Sequence, residues 1–403
     1  MRGTEATMKE IAKKGLRNII FLGMVSFFAD ISSEMVYPIV PLYLVSAFGA
    51  TPFLVGVIEG IAESVASLLR VFSGYISDKY NRKKPLAFVG YFTGLIYKLA
   101  LIVAGSWAGI LGARVIDRFG KGIRTAPRDV MVSENAEESR MGRAFGIHKA
   151  LDMTGSAIGI LLAFLLVKNT GMESYKAVFA WSMIPVGLAL LMFAFIRDGR
   201  GNKPVMKRDR FWKNVRQLDG SLKLYLIIAF TFTLGNSSNA FLLLRANAVG
   251  FSSADVILLY FVYNAVSAAL AIPFGKLSDK IGRKRVLVTG YAVFSLTYLG
   301  FAFAQSGALI ILSFVLYGFY TALIAGVERA FIAEITPPAI KGTMLGFHST
   351  LVGIALLPAS LLAGVFWNAF GAWAPFTFGA LMSAAAAVLL GAFFRNKPQG
   401  TAG

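Results

Sequence analysis

Arg114, Asp117, Arg118 and Lys121 are spaced i, i+3, i+4 and i+7 inside an otherwise apolar run, which puts four ionisable groups on one face of a helix. Residues of these types can do proton chemistry, because a guanidinium beside a carboxylate sets how firmly that carboxylate holds its proton. Asp117 and Asp152 are candidate carboxylates for such control. Two more stripes follow helical spacing: Asp30, Glu34, Tyr37 and Pro41, then Glu59, Glu63, Ser67 and Arg70. A carboxylate inside an apolar run is costly unless it is paired, hydrated or protonated. Asp30, Glu34, Glu63, Asp117, Arg118 and Asp152 are therefore the proton-coupling candidates, and Glu59 reads as hydrated near a helix end. Static ion pairs that only fasten helices together are the competing reading.

The elements that must position these groups are long helices in lipid. Hydrophobic residues make up 56% of the 403 positions and charged residues only 15%, too apolar a balance for an ordinary soluble domain. Apolar runs of about 20 residues recur with short breaks, which suits spanning helices and not the shorter alternating segments of a membrane barrel. Twelve spans are expected: 17–47, 53–77, 85–104, 107–131, 142–168, 173–196, 222–249, 253–277, 285–304, 306–331, 342–369 and 372–395. The net charge of +19 lies in clusters between the runs and forms no groove-sized face, so membrane topology explains it better than nucleic acid does. Basic residues gather before the first span and in the even-numbered connections, whereas segments such as 46–53, 104–107, 304–307 and 370–374 carry no charge. The positive-inside rule then predicts cytoplasmic termini, and the polybasic connections predict contact with anionic lipid headgroups. No cleavable signal peptide is expected, the first span itself serving as the insertion signal.

The chemistry is unevenly distributed. Deep charges are few in the second half, chiefly Arg245, Glu328 and Arg329, and Asn236, Ser237, Ser238, Asn239, Asn247 and Asn264 supply neutral polarity instead. Tyr37, Arg70, Arg114, Asn239, Arg245, Tyr263 and Asn264 are the substrate-cavity candidates. His148 and His348 stand near the starts of two spans, where interfacial hydrogen bonding is expected of them. With no Cys and two His, no metal site is predicted. Gly120-Lys121-Gly122 lacks the spacing of a phosphate loop, and no cofactor is predicted.

A duplication organises the chain. Gly74-Tyr-Ile-Ser-Asp78-Lys-Tyr-Asn-Arg82-Lys-Lys returns as Gly275-Lys-Leu-Ser-Asp279-Lys-Ile-Gly-Arg283-Lys-Arg, offset by 201 positions (275 − 74). Gly142, Gly146 and His148 return as Gly342, Gly346 and His348. The expected organisation is an N-terminal six-helix bundle (1–196), a basic cytoplasmic linker (197–221) and a C-terminal six-helix bundle (222–403). Parallel repeats of this kind put a substrate site at their interface.

The repeated Gly-x-x-x-Asp-x-x-x-Arg-Lys segment resembles the signature of major facilitator transporters, where it lies between helices 2 and 3 and again between helices 8 and 9. That resemblance covers essentially the whole chain and implies an all-α integral membrane protein with twelve transmembrane helices in two pseudo-symmetric six-helix bundles. It assigns Gly74, Asp78, Arg82, Gly275, Asp279 and Arg283 to a cytoplasmic gate. Physically, the glycines permit close backbone approach and the aspartates can meet a helix N-terminus or a neighbouring Arg. The run from Arg118 to Ala126 is similar to the helix 4 signature of proton-coupled facilitators, with Lys121 in place of Gln and Arg124 in place of Gly; Arg118 keeps the Arg position, and the resemblance makes it the cation expected to control the proton affinity of Asp117 or Asp152. Gly146, Gly155 and Gly159 reproduce the glycine skeleton of the helix 5 signature of drug:proton antiporters, although Ile160 stands where the family has Pro. Small residues at this spacing also serve close helix packing.

Together these features predict a multi-pass secondary transporter of the cell's inner (plasma) membrane, working by alternating access and exporting an amphipathic small molecule against protons. Import or exchange of an anionic metabolite is the alternative, since Arg70, Lys98, Arg114, Arg118 and Arg245 can bind carboxylate or phosphate directly. A divalent-cation carrier and a membrane-embedded enzyme rank lower, because few further ligands and no activated nucleophile accompany the carboxylates. The expected partners are the small-molecule substrate, protons and lipid, with no nucleic acid and no protein partner.

Overall fold

Every backbone N–H and C=O in hydrocarbon must find its partner within the segment, and runs rich in Leu, Ala, Phe and Gly can do so only as helices. The computed structural model describes residues 2–80, 83–135, 141–170, 175–196, 219–324, 326–337 and 341–393. Among the described residues the regular structure is helical throughout, in the order α1 (Arg2–Val36), α2 (Ile39–Phe48), α3 (Pro52–Tyr80), α4 (Lys83–Val103), α5 (Trp107–Glu134), α6 (Met141–Thr170), α7 (Tyr175–Trp181) and α8 (Met183–Ala194). The second half continues with α9 (Gly220–Gly235), α10 (Ala240–Val249), α11 (Ser253–Ile281), α12 (Arg283–Phe303), α13 (Gly307–Ile324), α14 (Val327–Ile335), α15 (Lys341–Phe370) and α16 (Ala374–Val388), which runs into a π-helical turn (Leu389–Phe393).

Eleven stretches among the described residues are long and apolar enough to cross a membrane. The 28-residue helix α5 is not one of them. It carries Arg114, Asp117, Arg118, Lys121, Arg124 and Arg128, so its composition sets it apart although its length does not. Exposed Leu161, Leu165, Ile184, Leu188 and Leu191 give α6 and α8 apolar outer faces, as contact with lipid tails requires.

The chain divides into two compact units. The first comprises Met1–Ala50, Ile61–Met206 and Ser252–Phe261, and the second comprises Thr51–Gly60, Lys207–Phe251 and Val262–Gly403. The opening turns of α3 thus belong with the second unit and those of α11 with the first. In the first unit, α1 packs along α6 and α8, and α4 packs along α5. Its core joins Leu22 and Val25 of α1 to Tyr91 of α4, Val132 of α5 and Phe193 of α8. In the second unit α12 packs against α13 and α16. There Phe232 stacks on Tyr291 at 4.3 Å and Phe294 on Tyr298 at 3.9 Å.

The first span of each repeat is interrupted at a matching place. The chain breaks between α1 and α2 around Tyr37 and Pro38, and between α9 and α10 around Asn236 to Asn239. The helices that resume, at Ile39 and Ala240, are again 201 positions apart (240 − 39). Proline explains the first break, since it lacks an N–H to continue the ladder. At the second, Asn and Ser side chains bond locally in place of the ladder, and the Ser238 hydroxyl accepts from the Ala240 N–H at 3.3 Å.

Two glycines of the antiporter-like skeleton have a packing role. A Cβ at Gly155 would collide with the Phe27 carbonyl, and one at Gly159 with the Ile31 carbonyl, so α6 meets α1 backbone to backbone. Gly146 has open space at the same position. Gly155→Val is expected to destabilise the protein by roughly 1–3 kcal/mol through overpacking, while Gly146→Ala leaves it near wild type. Thermal melting of the purified protein checks this, and coincident melting curves for the two variants would contradict it.

Candidate functional site

The first unit gathers its charges where α1, α3 and α5 converge. Arg118, 6% exposed at its side chain, places Nη2 3.0 Å from Glu63 Oε1 and Nε 3.7 Å from Asp117 Oδ2. Asp117 Oδ2 also lies 3.7 Å from Arg114 Nη1. The guanidinium groups of Arg114 and Arg118 stand over the ring of Tyr37 at 5.5 and 5.8 Å. Tyr37 in turn packs on Tyr260 at 5.6 Å between ring centroids, and the Tyr260 hydroxyl donates to Glu34 Oε2 at 3.1 Å. Tyr37 sits at the break in the first span, so the break itself delivers a ring to the two arginines. Glycines bring the helices close enough for this: Gly120 abuts Thr93 of α4, and the Gly122 carbonyl accepts from Ser73 of α3 at 2.8 Å.

A second group lies on α6. Asp152 Oδ1 is 3.5 Å from His148 Nδ1, and its Oδ2 is 3.9 Å from Arg128 Nη1. His148 Nε2 is 3.1 Å from the Ser26 hydroxyl, which also meets the Tyr91 hydroxyl at 3.0 Å. His148 is only 4% exposed, so its hydrogen bonds are made inside the protein. Asp30 is within electrostatic range of Asp152, Lys121, Arg124 and Glu34, so the two groups share one field. Arg118 is bonded to Asp117, whereas the groups nearest Asp152 are Arg128 and His148.

Not every expected residue joins this cluster. Glu59 is buried, at 1% exposure, and accepts from Ser238 Oγ at 3.4 Å in the second unit, so the hydrated position expected for it is not observed. Arg245 is engaged by backbone: Nε donates to the Phe301 carbonyl at 2.8 Å, and Nη2 to Ala302 at 3.1 Å and Ala304 at 2.9 Å. Those are the orphan carbonyls at the end of α12, and a cation there suits the helix dipole. Asn239 is held between two tyrosines, accepting from the Tyr317 hydroxyl at 2.7 Å and donating to the Tyr263 hydroxyl at 3.2 Å. Asn264 is half-buried on α11 and Arg329 is exposed. Glu328 lies 3.5 Å from His348 Nε2. The side chain of Arg70 lies outside the described residues.

At the motif between α11 and α12, Arg283 Nη1 lies 2.9 Å from Glu334 Oε2 on α14, and Nη2 lies 3.4 Å from Asp279 Oδ1. Gly275 has open space around its Cβ position, so the close approach expected there is absent. Of the first copy, Gly74 and Asp78 lie in the last turns of α3, and the side chain of Asp78 and the whole of Arg82 lie outside what is described. An echo of the bridge is nevertheless present in the first unit, where Lys83 pairs with Glu134 at the equivalent offset of 200 (283 − 83, 334 − 134). Lys84 and Lys284 repeat the pattern too, donating to the Ile196 carbonyl at 2.5 Å and the Gly391 carbonyl at 2.9 Å. These partners were invisible in sequence because Glu134 and Glu334 follow no shared local motif. Among the described residues no group of three or more His, Cys, Asp or Glu could hold a metal.

Two repeats of long apolar helices with a paired charge cluster at lipid depth define a polytopic membrane transporter. The chain belongs to the Major Facilitator Superfamily, whose family model matches residues 22–243 and 224–403. It is therefore a multi-pass membrane transporter of small molecules and not an enzyme. It is 37% identical over 358 residues to an uncharacterized MFS-type transporter of Methanocaldococcus jannaschii, covering 87% of this chain and 89% of that protein. It is 26% identical over 348 residues to the fosmidomycin resistance protein of Escherichia coli K12, covering 83% of each. Among solved structures it resembles a mutant of the nucleoside transporter NupG, with a TM-score of 0.81 at 13% identity over 94% of this chain and 100% of that one. A D-xylose-proton symporter matches with a TM-score of 0.75 at 16% identity over 94% and 98% of the two chains. Likeness at that identity concerns the fold alone.

The Arg118 to Glu63 pair is open to a direct test. Arg118→Gln strands Glu63 and is expected to lower stability toward the low end of the roughly 3–5 kcal/mol typical of a broken buried pair. Adding Glu63→Gln to that variant should recover much of the loss, read as a coupling energy in a double-mutant cycle of melting temperatures. Additive effects of the two changes would mean that the pair contributes nothing as a pair.

Proposed function

We propose that this chain is a secondary active transporter that works by alternating access and exports an amphipathic small molecule in exchange for protons. The observation that carries the reading is the linked set Glu34, Glu63, Asp117 and Arg118, joined by Tyr37 and Tyr260, within helices whose outer faces are apolar. Protonating one carboxylate of such a set leaves its cation without a counter-charge, and the imbalance favours a rearrangement that lets the cation find another partner. Asp30 and Asp152 extend the set toward α6, where Arg128 and His148 offer alternative partners.

Twelve spans with both termini in the cytoplasm of a plasma (inner) membrane protein agree with the placement of basic residues and with α5 as a span that is shielded from lipid. The halves 1–196 and 222–403, joined by the basic segment 197–221, would be the moving bodies, and that segment would rest on anionic headgroups. The Arg283 bridges to Asp279 and Glu334, and Lys83 to Glu134, would each brace the cytoplasmic end of its own half. Export is favoured by relatives named for fosmidomycin resistance and multidrug resistance. The glycine skeleton of α6 supports export less, because Gly155 and Gly159 are accounted for by packing against α1.

Compounds that raise the melting temperature of the purified protein in an unbiased screen would be offered to proteoliposomes with an imposed proton gradient. Flux is expected to fall about tenfold or more when the gradient is dissipated, and also in Asp30→Asn. Equal flux with and without the gradient would remove proton coupling from the mechanism.

A further inference from the structure

Three apolar stretches of the second unit meet at one end: 220–249 and 283–303 finish there, and 374–392 begins there. Between them lies an open cavity of about 410 Å³, whose walls include Arg245, Ala302, Phe303, Gln305, Ala372 and Trp373. That volume falls within the roughly 300–1,000 Å³ of small-molecule sites. Local chain geometry builds these walls. Gly371, at φ 98°, turns the chain between α15 and α16, and the turn sets Trp373 at the N-cap of α16. Arg245 stands one turn before the end of α10 at Val249. The cavity is thus at the opposite end of α12 from Arg283.

Arg245 brings a full charge to this cavity, and its protein partners balance only part of it. Nε and Nη2 give three N–H bonds to the carbonyls of Phe301, Ala302 and Ala304. A guanidinium has five such hydrogens, so the two on Nη1 remain. They meet no acceptor among the described residues, and Nη1 is not one of the buried polar atoms, so it keeps access to the space outside. The carboxyl end of a helix carries roughly half an elementary charge, so α12 offsets only about half of the guanidinium's. Among the described residues no carboxylate oxygen lies within 4.0 Å of Arg245, and no charged group is in electrostatic range of it. A second positive element stands beside it. Trp373 makes no side-chain cap bond, which leaves the amino end of the 15-residue helix α16 uncapped at the cavity rim.

We propose that this cavity binds the headgroup of a membrane phospholipid, its phosphodiester pairing with Arg245, and that it prefers a headgroup of net negative charge. A lipid, and not a dissolved anion, fits because the cavity lies where three spans end, the depth at which headgroups stand. Phe303 and Trp373 are exposed at its edge, as aromatics of the membrane boundary are, and the remaining wall is largely alanine. The planar guanidinium suits phosphate oxygens, and the indole N–H of Trp373 is a further donor. A zwitterionic headgroup would also bring an ammonium, for which the cavity offers no carboxylate and which Arg245 repels. A lipid held there would join α10, α12 and α16 through one headgroup. The site involves none of the residues assigned to coupling, so it stands or falls apart from what the chain carries.

The test is native mass spectrometry of the full-length protein, delipidated in a neutral detergent and titrated separately with phosphatidylglycerol, phosphatidylcholine and soluble sn-glycerol 1-phosphate. Polybasic connections will also hold anionic lipid, so the reading is the difference between wild type and variants at this cavity. Gln305 is exposed, and Gln305→Glu puts a carboxylate beside Arg245 without removing its bonds to α12. Wild type is expected to retain one more phosphatidylglycerol than Gln305→Glu, the affinity of that lipid falling about tenfold, or about 1.4 kcal/mol. Arg245→Gln should lose the same lipid, and Gln305→Lys should keep it. Gln305→Glu without lipid should melt with wild type, which separates lost binding from lost folding. No difference should appear with phosphatidylcholine or glycerol phosphate. Equal retention of phosphatidylglycerol by wild type and both neutralising or acidic variants would overturn the proposal. An equal difference with phosphatidylcholine would refute the charge preference, and one with glycerol phosphate would make the ligand a soluble anion.

Discussion

A charged side chain surrounded by hydrocarbon has no water to compensate it, and the first unit is arranged around that fact. Arg118 is reached by Glu63 from α3 and by Asp117 from its own helix, and Tyr37 covers it from α1. None of these partners can move without changing the environment of the others. The glycines at 120, 122, 155 and 159 follow from the same need, since short charge contacts require helices that nearly touch. Packing and electrostatics are here a single requirement.

The two repeats answer the membrane in different ways. In the second unit the interrupted first span places Asn239 between Tyr263 and Tyr317, and aromatic stacking around Phe294 fills the space that ion pairs occupy in the first unit. Neutral hydrogen bonds of this kind carry little desolvation cost and no dependence on protonation. What the repeats keep in common is mechanical: matching breaks near residues 37 and 237, and matching bridges from Lys83 and Arg283 to Glu134 and Glu334.

Much of the architecture was legible in the sequence because lipid imposes length and periodicity on every span. The stripe on α5 also read correctly as one face, since i, i+3, i+4 and i+7 leave no other geometry. Partner choice was not legible. Nothing in the spacing marks Glu63 and not Asp152 as the carboxylate bonded to Arg118, because that depends on how α3 and α6 approach α5. Tyr260, more than 200 positions from Glu34, carries no local signal at all. Glu59 was misread for a related reason. Nearness to a helix end suggests hydration, yet Glu59 is buried and accepts from Ser238 of the other repeat. For Arg245, the α12 carbonyls that engage it had no signal in the sequence.

The backbone contact between α1 and α6 also bears on how the chain is made. Asp30 shares a field with Asp152, which is 122 positions later (152 − 30). At a synthesis rate of about 5–20 residues per second, α1 waits roughly 6–24 s for α6 to emerge. During that interval the carboxylates of α1 lack their packing surface on α6, and the cations of α5 are made only toward its end. The nascent first span is therefore safest near water, in the insertion machinery or protonated, until α6 arrives, and α8 has still to follow before the core is complete.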